Sequence, residues 1–460
     1  MSNDRDLFRR AAEHAADYRQ TIATRPQRPE QSYAEAVRAW HAPTPEQGTA
    51  DTAVLDDLVR LAGPGLHATT GPRFHGWVIG GSHPVGVAAD WLTAAWGQNA
   101  GNHIASPAAA AAEAVAEKWL LDILRLPAGA SVGFVTGATV ANFVCLAAAR
   151  GEVLRKVGWD VERQGLFGAP IVNLLIGEEA HATVFSALQF LGFGYDRPLK
   201  VAVDPQGAMA PAALERALAA CDGPTIVIAQ AGQINTGAFD PLAALVPLAQ
   251  AKGAWVHVDG AFGLWARACP SKAALAEGVE LADSWATDGH KWLQTPYDCG
   301  YAIVRDAEAH RRAMVIAASY LPSVGDGERD PTHFVPELSR RARGFATWAM
   351  LRHLGRAGIA RLVEQNCRQA RLIAGRVRAE PGIAVLNDVM LNQAILRFGD
   401  DDTRTLAAIA RLQADGVAYA GGARWRDQWV MRISVSGWST TDEDALRTAD
   451  AIVAAWRSNQ

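Results

Sequence analysis

From Phe74 onward, short apolar segments alternate with helical segments, and this alternation constrains the fold of the 460-residue chain more than any other feature. It is typical of a mostly parallel sheet with helices on both faces, because each crossover between parallel strands needs a helix. The predicted strands are 131–136, 171–176, 200–203, 225–229, 255–258, 284–287 and 300–304, and the predicted helices between them are 139–157, 182–191, 211–219 and 242–252. The sequence therefore predicts an α/β fold.

Two flanking regions depart from this pattern. Residues 1 to about 66 predict helices interrupted by a proline-rich stretch at 25–29, with a later helix around 55–61 that ends at Gly63. Such a short segment cannot bury much of itself, so we expect it to pack on the main domain or on another subunit. A helix near 344–354 leads to predicted strands near 383–386, 393–398 and 430–435. We therefore predict an N-terminal helical segment (1–70), a large α/β domain (71–355) and a small C-terminal α+β domain (356–460).

Charge and cysteine content narrow the classes of partner. The formal net charge is −4 and the charged residues are mixed along the chain, so nothing indicates binding to nucleic acid or to an acidic membrane surface. The five cysteines are dispersed and form no CxxC pair for zinc or redox chemistry. With no long apolar run and no secretory signal pattern, we expect a cytoplasmic protein with a small-molecule partner, no bound metal and no membrane association.

Two charged residues follow predicted strands in the large domain. Asp259 ends the apolar segment WVHVD and precedes Gly260 and Ala261, small residues that let a flat ring approach the backbone. Ligands of parallel sheets bind beyond the carboxyl ends of the strands, so this carboxylate favours a cationic partner such as a pyridinium nitrogen. Lys291 follows the next strand in TDGHKW, where desolvation by His and Trp favours the uncharged amine that a Schiff base requires. Alone, each is also explained as a solvated surface residue; together they predict a pyridoxal-5′-phosphate (PLP) site.

Two further features lie upstream of this pair. In VGFVTGATVANF a strand is followed by a glycine turn and a long helix, whose free N–H groups and Thr139 hydroxyl can hold a phosphate. His181, in GEEAHATVF, follows the next strand and can lie against an aromatic ring. Many such turns bind no ligand, and a single histidine is more often a capping or core residue. These two features support a PLP site only in combination with the others.

In their order along the chain, TGAT, His181, HVDGA and DGHKW resemble the group II PLP-dependent decarboxylases of fold type I, which include aromatic-amino-acid, histidine, glutamate and tyrosine decarboxylases. The resemblance runs from about Pro72 to the C-terminus. It includes PRFHGW, ASPAAAAAEAVAEKWLLDILRLP, AGQINTGAFDPL and SRRARGFATWAMLRHLG, and HKW with HVDGA is its most specific part. It implies the fold of the fold type I PLP-dependent transferases and decarboxylation of an L-amino acid, aromatic or similarly bulky, to the amine and CO₂.

The resemblance also implies roles for individual residues. Lys291 would hold PLP as an internal aldimine, Asp259 would pair with the ring nitrogen, and His181 would stack on the ring face opposite Ala261. The other implied cofactor contacts are Gly137, Ala138 and Thr139 at the phosphate, Gln230 near the ring edge, and His290 before the lysine. Arg343 matches a family arginine near the site, and Asp288 stands where some members carry a phosphate-binding Asn. PLP accepts the electron pair that CO₂ leaves behind, and a proton then returns to the substrate.

One segment departs from the family pattern. Relatives carry a mobile loop with a tyrosine that delivers the Cα proton, and the matching segment LPSVGDGERDPTHFVPELS contains no tyrosine. His333 is the nearest replacement acid, and Tyr320, just before the loop, is the second; either can equally well only pack or contact solvent. The fate of the intermediate is therefore open between amine and aldehyde.

The front segment PRFHGWVIGGSH is expected to line the substrate pocket, with Phe74, His75 and Trp77 offering aromatic surface. In the family this region faces the site of the partner subunit. The resemblance therefore implies a homodimer with active sites at the subunit interface and with N-terminal helices that clasp the other protomer.

Two alternatives to an amino-acid decarboxylase remain open: another PLP-dependent reaction at the same residues, and a protein of this fold without catalysis. A decarboxylating aldehyde synthase, a C–C lyase or aldolase, or an aminotransferase would each need Lys291 and Asp259. A protein of this fold that serves as a scaffold without catalysis is the other alternative. Assays for CO₂, amine, aldehyde and keto acid separate them.

Overall fold

The computed structural model describes residues 4–315 and 329–459. Within them, the central sheet consists of β1 (Ser131–Val135), β2 (Asn173–Gly177), β3 (Leu199–Val201), β4 (Thr225–Gln230), β5 (Trp255–Asp259), β6 (Ser284–Asp288) and β7 (Gly300–Val304), in the order β1-β7-β6-β5-β4-β2-β3. β7 runs antiparallel to β1 and β6, and the other neighbours are parallel. The carboxyl ends of β1, β2, β4, β5 and β6 therefore lie at one edge of the sheet.

The helices alternate with these strands as predicted. In chain order they are α1 (Asp4–Thr21), α2 (Tyr33–Trp40), α3 (Asp51–Ala62), α4 (Pro84–Trp96), α5 (Pro107–Leu124), α6 (Ala138–Arg155), α7 (Val161–Gln164), α8 (Ala182–Phe190), α9 (Pro211–Ala219), α10 (Leu242–Gln250), α11 (Ala307–Met314), α12 (Arg343–Arg378), α13 (Asp402–Asp415) and α14 (Asp442–Arg457). The α6, α8 and α11 helices cover one face of the sheet, and α5, α9 and α10 cover the other.

The core follows from the alternation of side chains along the strands. In β4, Ile226 and Ile228 pack in the layer that contains α6 and α8, whereas Val227 and Ala229 pack in the opposite layer. Because both faces are covered, β1, β4, β5, β6 and β7 are buried along their whole length and are rich in apolar residues, as covered strands usually are. The predicted α/β fold with helices on both faces is confirmed.

A second, smaller sheet follows the large one. It contains β8 (Ile383–Val385), β9 (Gln393–Phe398), β10 (Gly421–Trp425) and β11 (Gln428–Ser434) in the antiparallel order β10-β11-β9-β8. The second half of α12, with α13 and α14, packs on it around Phe398, Ile433 and Trp456. These elements form the predicted C-terminal α+β domain.

Three element predictions need correction. α2 was not singled out, although Ser32 and Glu35 form a capping box at its start. β10 was missed because its first two residues, Gly421 and Gly422, disfavour a strand. The helix expected near 344–354 continues to Arg378, since the helical hydrogen bonds resume after Gly355, whose φ of 58° and ψ of 177° are not helical.

The described residues contain neither a candidate membrane-spanning helix nor a disulfide bond. Across residues 4–315 and 329–459, no helix combines the length and the apolar character needed to cross a bilayer. All five cysteines are free thiols, and Cys145, Cys269, Cys299 and Cys367 are buried.

Candidate active site

The shared edge of the large sheet gathers the residues that the sequence predicted. Asp259 and Asp288 are the last residues of β5 and β6, and Gln230 is the last of β4, paired in register with Asp259. Gly137 follows β1 as the N-cap of α6, and His181 follows β2 as the N-cap of α8. Residues far apart in the sequence thus converge because the strands that carry them are parallel.

Asp259 is a buried carboxylate. It is 5% exposed, and its Oδ1 accepts a hydrogen bond from the Ala261 N–H at 3.2 Å. Burial raises the pKa of Asp259, while the positive charges of His181 and Lys291 act in the opposite direction. No ion pair to Asp259 forms within the described ranges, so a cationic ring nitrogen would supply a partner that the protein itself lacks.

Lys291 lies close to Asp288 at the same edge. Its side chain is 16% exposed, and its Nζ is 2.8 Å from Asp288 Oδ2 and 5.9 Å from the centre of the Phe262 ring. The sequence predicted a largely buried amine, and this is what the structure has. The ion pair with Asp288 was not foreseen.

The turn between β1 and α6 is tightly packed. A Cβ on Gly137 would lie 3.1 Å from His290 Cε1 and 3.3 Å from Asp288 Oδ1, so a side chain here would intrude on the space in front of the helix. The Ala138 N–H donates to Asp288 Oδ1 at 2.6 Å, and Thr139 is half-buried beside it. This helix N-terminus can hold an anion, and a carboxylate of the protein already uses its first N–H group.

His181 begins α8 with its side chain against the helix backbone. Its Nδ1 accepts a hydrogen bond from the Thr183 N–H at 3.4 Å and lies 2.7 Å from Thr183 Oγ1. Burial lowers the pKa of His181; the Asp259 carboxylate raises it, and the charges of Lys291 and Arg432 lower it further. The imidazole is therefore neutral near pH 7, which suits a flat contact with an aromatic ring.

Gln230 and Ala261 are both close to Asp259. Gln230 is its partner on the neighbouring strand β4, and Ala261 follows it by two residues in the chain. The Gln230 Nε2 donates to the Glu179 carbonyl oxygen at 3.2 Å, and this bond fixes the side chain at the end of β4. The Ala261 carbonyl oxygen accepts a hydrogen bond from the Asp288 N–H at 2.9 Å. The backbone around Asp259 is thus tied to both neighbouring strands.

His290 packs between the glycine turn and the loop before β7. Its Nδ1 accepts from the Cys299 N–H at 3.3 Å, and its ring centre is 4.4 Å from that of Tyr297. Burial lowers the pKa of His290, so the ring is neutral near pH 7. It can contact a phosphate held at the turn only as a neutral group.

Arg432 is a functional candidate that the sequence reading missed. It lies on β11 of the small domain, and burial lowers its pKa. Its Nη1 donates to Asn235 Oδ1 at 3.4 Å, and its charge acts on His181. The available signal was an arginine inside the otherwise apolar strand WVMRISV. A buried guanidinium facing the site can bind a carboxylate.

The front segment PRFHGWVIGGSH was predicted to offer aromatic surface to a substrate, and the structure agrees with this only in part. Phe74 is 6% exposed and stacks on Tyr419 at 4.8 Å between ring centres, while Trp77 is 53% exposed and lies 5.4 Å from the same ring. The prediction that His75 offers surface to a substrate is wrong: it is 1% exposed, and its Nε2 lies 3.1 Å from Thr448 Oγ1 on α14. Burial lowers the pKa of His75 to about 4, so it is a neutral packing residue.

Arg343 begins α12 and is held to the loop before β7 through its Nε. Its Nε donates to Asp298 Oδ1 at 2.9 Å and to the Asp298 carbonyl oxygen at 3.1 Å, and its Nη1 is buried without a hydrogen-bond partner among the described residues. That remaining nitrogen is the part of Arg343 that a substrate could still engage.

His333 lies in the short helical turn Pro331–Phe334. Burial lowers its pKa, and its charged neighbours are Asp330, Arg311 and Arg329. In the described parts of the chain no hydrogen bond or ion pair joins it to Lys291, His181 or Asp259. Tyr320, the second acid candidate, lies outside the described residues. The role of His333 stays a prediction.

The donor set at this edge fits PLP. It offers a primary amine on Lys291, a buried carboxylate on Asp259, a neutral imidazole on His181 and a helix N-terminus after Gly137. By contrast, no cluster of three or more His, Cys, Asp or Glu side chains with the arrangement of a metal site occurs within 4–315 and 329–459.

Comparison with known protein families shows to which family the chain belongs. Residues 35–397 match the family described as the pyridoxal-dependent decarboxylase conserved domain. The chain belongs to this family. As a pyridoxal-dependent decarboxylase, it is a carboxy-lyase that uses PLP and acts on an amino acid.

Individual relatives are distant but match over nearly full length. The decarboxylase is 27% identical to the aromatic-L-amino-acid decarboxylase of Rattus norvegicus, covering 94% of each chain, and 26% identical to the phenylacetaldehyde synthase of a Rosa hybrid cultivar, covering 96% of this chain and 90% of that one. Its fold is that of Oryza sativa TDC, solved with PLP and tryptamine, with a TM-score of 0.91 at 23% identity over 100% of this chain and 99% of that one.

Proposed function

We propose that this pyridoxal-dependent decarboxylase converts an aromatic or similarly bulky L-amino acid to its amine and CO₂, with PLP carried on Lys291. The observation that carries the proposal is the convergence of Lys291, Asp259 and His181 at one sheet edge, beside the glycine turn. The aromatic substrate class is supported by the relatives, which are named for aromatic amino acids or aromatic aldehydes.

PLP, when bound, supplies an electron-accepting ring to which an amino acid can be attached. Each residue then has its own task. Asp259 holds a proton on the ring nitrogen, because a buried carboxylate stabilises a neighbouring cation. Lys291 would provide the amine that anchors the cofactor, and neutral His181 would lie against its ring. Gly137, Ala138, Thr139 and His290 would hold the phosphate, while Gln230 and Ala261 would border the ring.

For the substrate, we propose that Trp77 borders the aromatic group and that Arg432 binds a carboxylate. Trp77 is half exposed, and Phe74 backs it through the shared contact with Tyr419. Arg432 approaches from the small domain, near His181. Arg343 is held by Asp298 through its Nε, and its buried Nη1, which has no hydrogen-bond partner among the described residues, is the atom proposed to contact the substrate.

The first test addresses the anchor. Borohydride reduction of the holoenzyme followed by peptide mass spectrometry should find the phosphopyridoxyl group on Lys291, and Lys291→Ala should lose the visible absorbance of the cofactor. A panel of L-amino acids should then release CO₂ with an aromatic member as the best substrate. Label on another lysine would exclude the proposed anchor, and preference for a small or acidic amino acid would exclude the proposed substrate class.

A second candidate function, decarboxylation with release of an aldehyde, is favoured by one observation: the segment 321–339 contains no tyrosine. The Rosa relative is named as an aldehyde synthase. We propose that His333 returns the proton that leads to the amine. His333→Phe should then raise the ratio of aldehyde to amine, whereas exposed His41→Phe should leave it unchanged. An unaltered ratio in the first variant would remove His333 from the mechanism.

We further propose that the protein is a homodimer whose active sites lie at the subunit interface. Large apolar side chains stand exposed on α4 and α12, where Leu92, Trp96 and Trp348 are 50%, 52% and 41% exposed. The amphipathic helix α2 likewise exposes Trp40. Burial of such surface against a second copy would be favourable. Sedimentation should find a dimer that Trp96→Glu weakens; a monomer at micromolar concentration would contradict this.

Two further proposals concern the domain limits and the cellular location of the protein. We propose domain limits of 1–70, 71–355 and 356–460, which are supported by the interruption of α12 at Gly355. Limited proteolysis should release fragments near these limits. We also propose a cytoplasmic location, which is supported by the free thiols of all five cysteines. Cell fractionation tests it directly.

A further inference from the structure

Asp288 ends β6 with a carboxylate whose two oxygens contact two different groups. Its Oδ1 accepts a hydrogen bond from the Ala138 N–H at 2.6 Å, at the first turn of α6. Its Oδ2 lies 2.8 Å from Lys291 Nζ. The side chain is 3% exposed, so solvent screens neither contact. These two partners are the anion-binding helix end and the amine that PLP would also require.

A phosphate ester brought to this turn meets a negative charge that is already present. The partial positive charge of a helix N-terminus amounts to about half an elementary charge, which is too little to balance a carboxylate and a phosphate together. Another nearby group, His290, has its Nε2 3.7 Å from Asp288 Oδ1, but burial lowers its pKa and leaves it neutral near pH 7. Lys291 is the cation in contact with Asp288, and PLP would require that same amine.

We propose that Asp288 acts as a built-in anion of the phosphate site: it holds the α6 N-terminus and Lys291 in the cofactor-free protein, and its charge limits the affinity for phosphate esters. Asp288 is then a positioning residue that sets the strength of cofactor binding. This inference rests on the proposed assignment of the phosphate to Gly137, Ala138 and Thr139. It departs from a purely structural role, in which removal of the charge would loosen the turn and weaken binding.

Asp288→Asn separates the two roles, since Asn keeps the size and one acceptor oxygen but removes the charge. The probe is pyridoxine 5′-phosphate, which carries the phosphate and no aldehyde, so that its binding to the full-length cofactor-free protein is noncovalent. Calorimetric titration should show binding at least about tenfold tighter than to wild type, because one like charge next to the phosphate has been removed. Inorganic phosphate should show a gain in the same direction.

Unphosphorylated pyridoxine and two further variants serve as controls. Pyridoxine should bind both proteins within about twofold, since it brings no phosphate to the turn. Asp283→Asn removes a half-buried carboxylate just before β6, at the opposite end of the same strand, and should leave binding of all three probes unchanged. Asp288→Ser, a second neutral variant, should reproduce the gain if the Asn variant fails to fold, as judged by its melting curve.

The outcomes keep this inference apart from the proposed function. If wild type prefers pyridoxine 5′-phosphate over pyridoxine but folded Asp288→Asn and Asp288→Ser bind the ester equally or more weakly, Asp288 is a structural support and the inference is wrong. If wild type binds pyridoxine and its phosphate ester equally well, the turn is not the phosphate site, and the assignment on which the inference rests fails with it.

Discussion

Gly80 lies directly against the carbonyl oxygen of Lys291. Its N–H donates to the carbonyl oxygen of His290 at 2.9 Å, and a Cβ added to Gly80 would overlap the Lys291 oxygen. The front segment, which carries Phe74 and Trp77, therefore packs directly on the peptide of the lysine that we propose to carry PLP. Movement of one is transmitted to the other without any side chain between them.

Gly80→Ala should displace the Lys291 backbone. Overpacking of this kind costs about 1–3 kcal/mol of unfolding free energy, and a shift of about 1 Å at a reacting group can cost about a hundredfold in rate. We expect a lower melting temperature and a larger loss of turnover. Gly129→Ala is the matched control, because a Cβ there meets nothing within 4 Å. Equal behaviour of the two variants would show that the contact with Lys291 is not functional.

Asp259→Asn should keep the fold but lose most activity. Asn occupies the same volume beside the Ala261 N–H, but it carries no charge to hold a proton on the ring nitrogen. CO₂ release should fall at least about a hundredfold, a loss typical of removing one electrostatic contact in an active site. Cofactor absorbance should persist. Asp283→Asn, at the far edge of the sheet, is the control, and wild-type rates in the Asp259 variant would refute the assigned role.

Arg432→Met should weaken the binding of substrate more than that of PLP. Loss of a charge-assisted contact with a carboxylate predicts a fall in kcat/KM of about a hundredfold, mainly through KM. The same change removes a charge that lowers the pKa of His181, so the acidic limb of the pH profile should move to higher pH. Exposed Arg424→Met is the control on the neighbouring strand. A profile and KM like those of wild type would place Arg432 outside the site.

Buried histidines should make the protein sensitive to acid. Burial lowers the pKa of His75 to about 4 and the pKa values of His257 and His310 to about 3. In the unfolded chain a histidine titrates near about 6.5. Below that pH the unfolded state binds protons that the folded state does not, so the free energy of unfolding falls as pH falls from about 6.5 toward 4.

The slope of the unfolding free energy against pH tests whether these buried histidines are neutral in the folded protein. For His310→Gln, the dependence of unfolding free energy on pH between about 4.5 and 6 should flatten by about 1.4 kcal/mol per pH unit, the value for one proton. Exposed His41→Gln is the control and should keep the wild-type slope. Denaturant titrations at several pH values measure it, and a parallel curve for His310→Gln would contradict the prediction.

Much of the site could be predicted because its residues directly follow recognisable strands. WVHVD and SWATD predict their own strands, and the parallel arrangement brings Asp259 and Lys291 to one edge. His75 was misjudged because the segment around it is extended: Phe74 faces Tyr419, while His75 faces Thr448, and the composition does not say which side is open. Arg432 escaped notice because β11 joins the site only through the packing of the two domains.

The 36-residue helix α12 contains one residue, Gly355, whose backbone conformation is not helical. Before Gly355, α12 runs along α4 and α5; after it, the helix lies on α14. The half of α12 after Gly355 packs with β9 and β11, so this one helix connects the helices that cover the large sheet to the small sheet that carries Arg432.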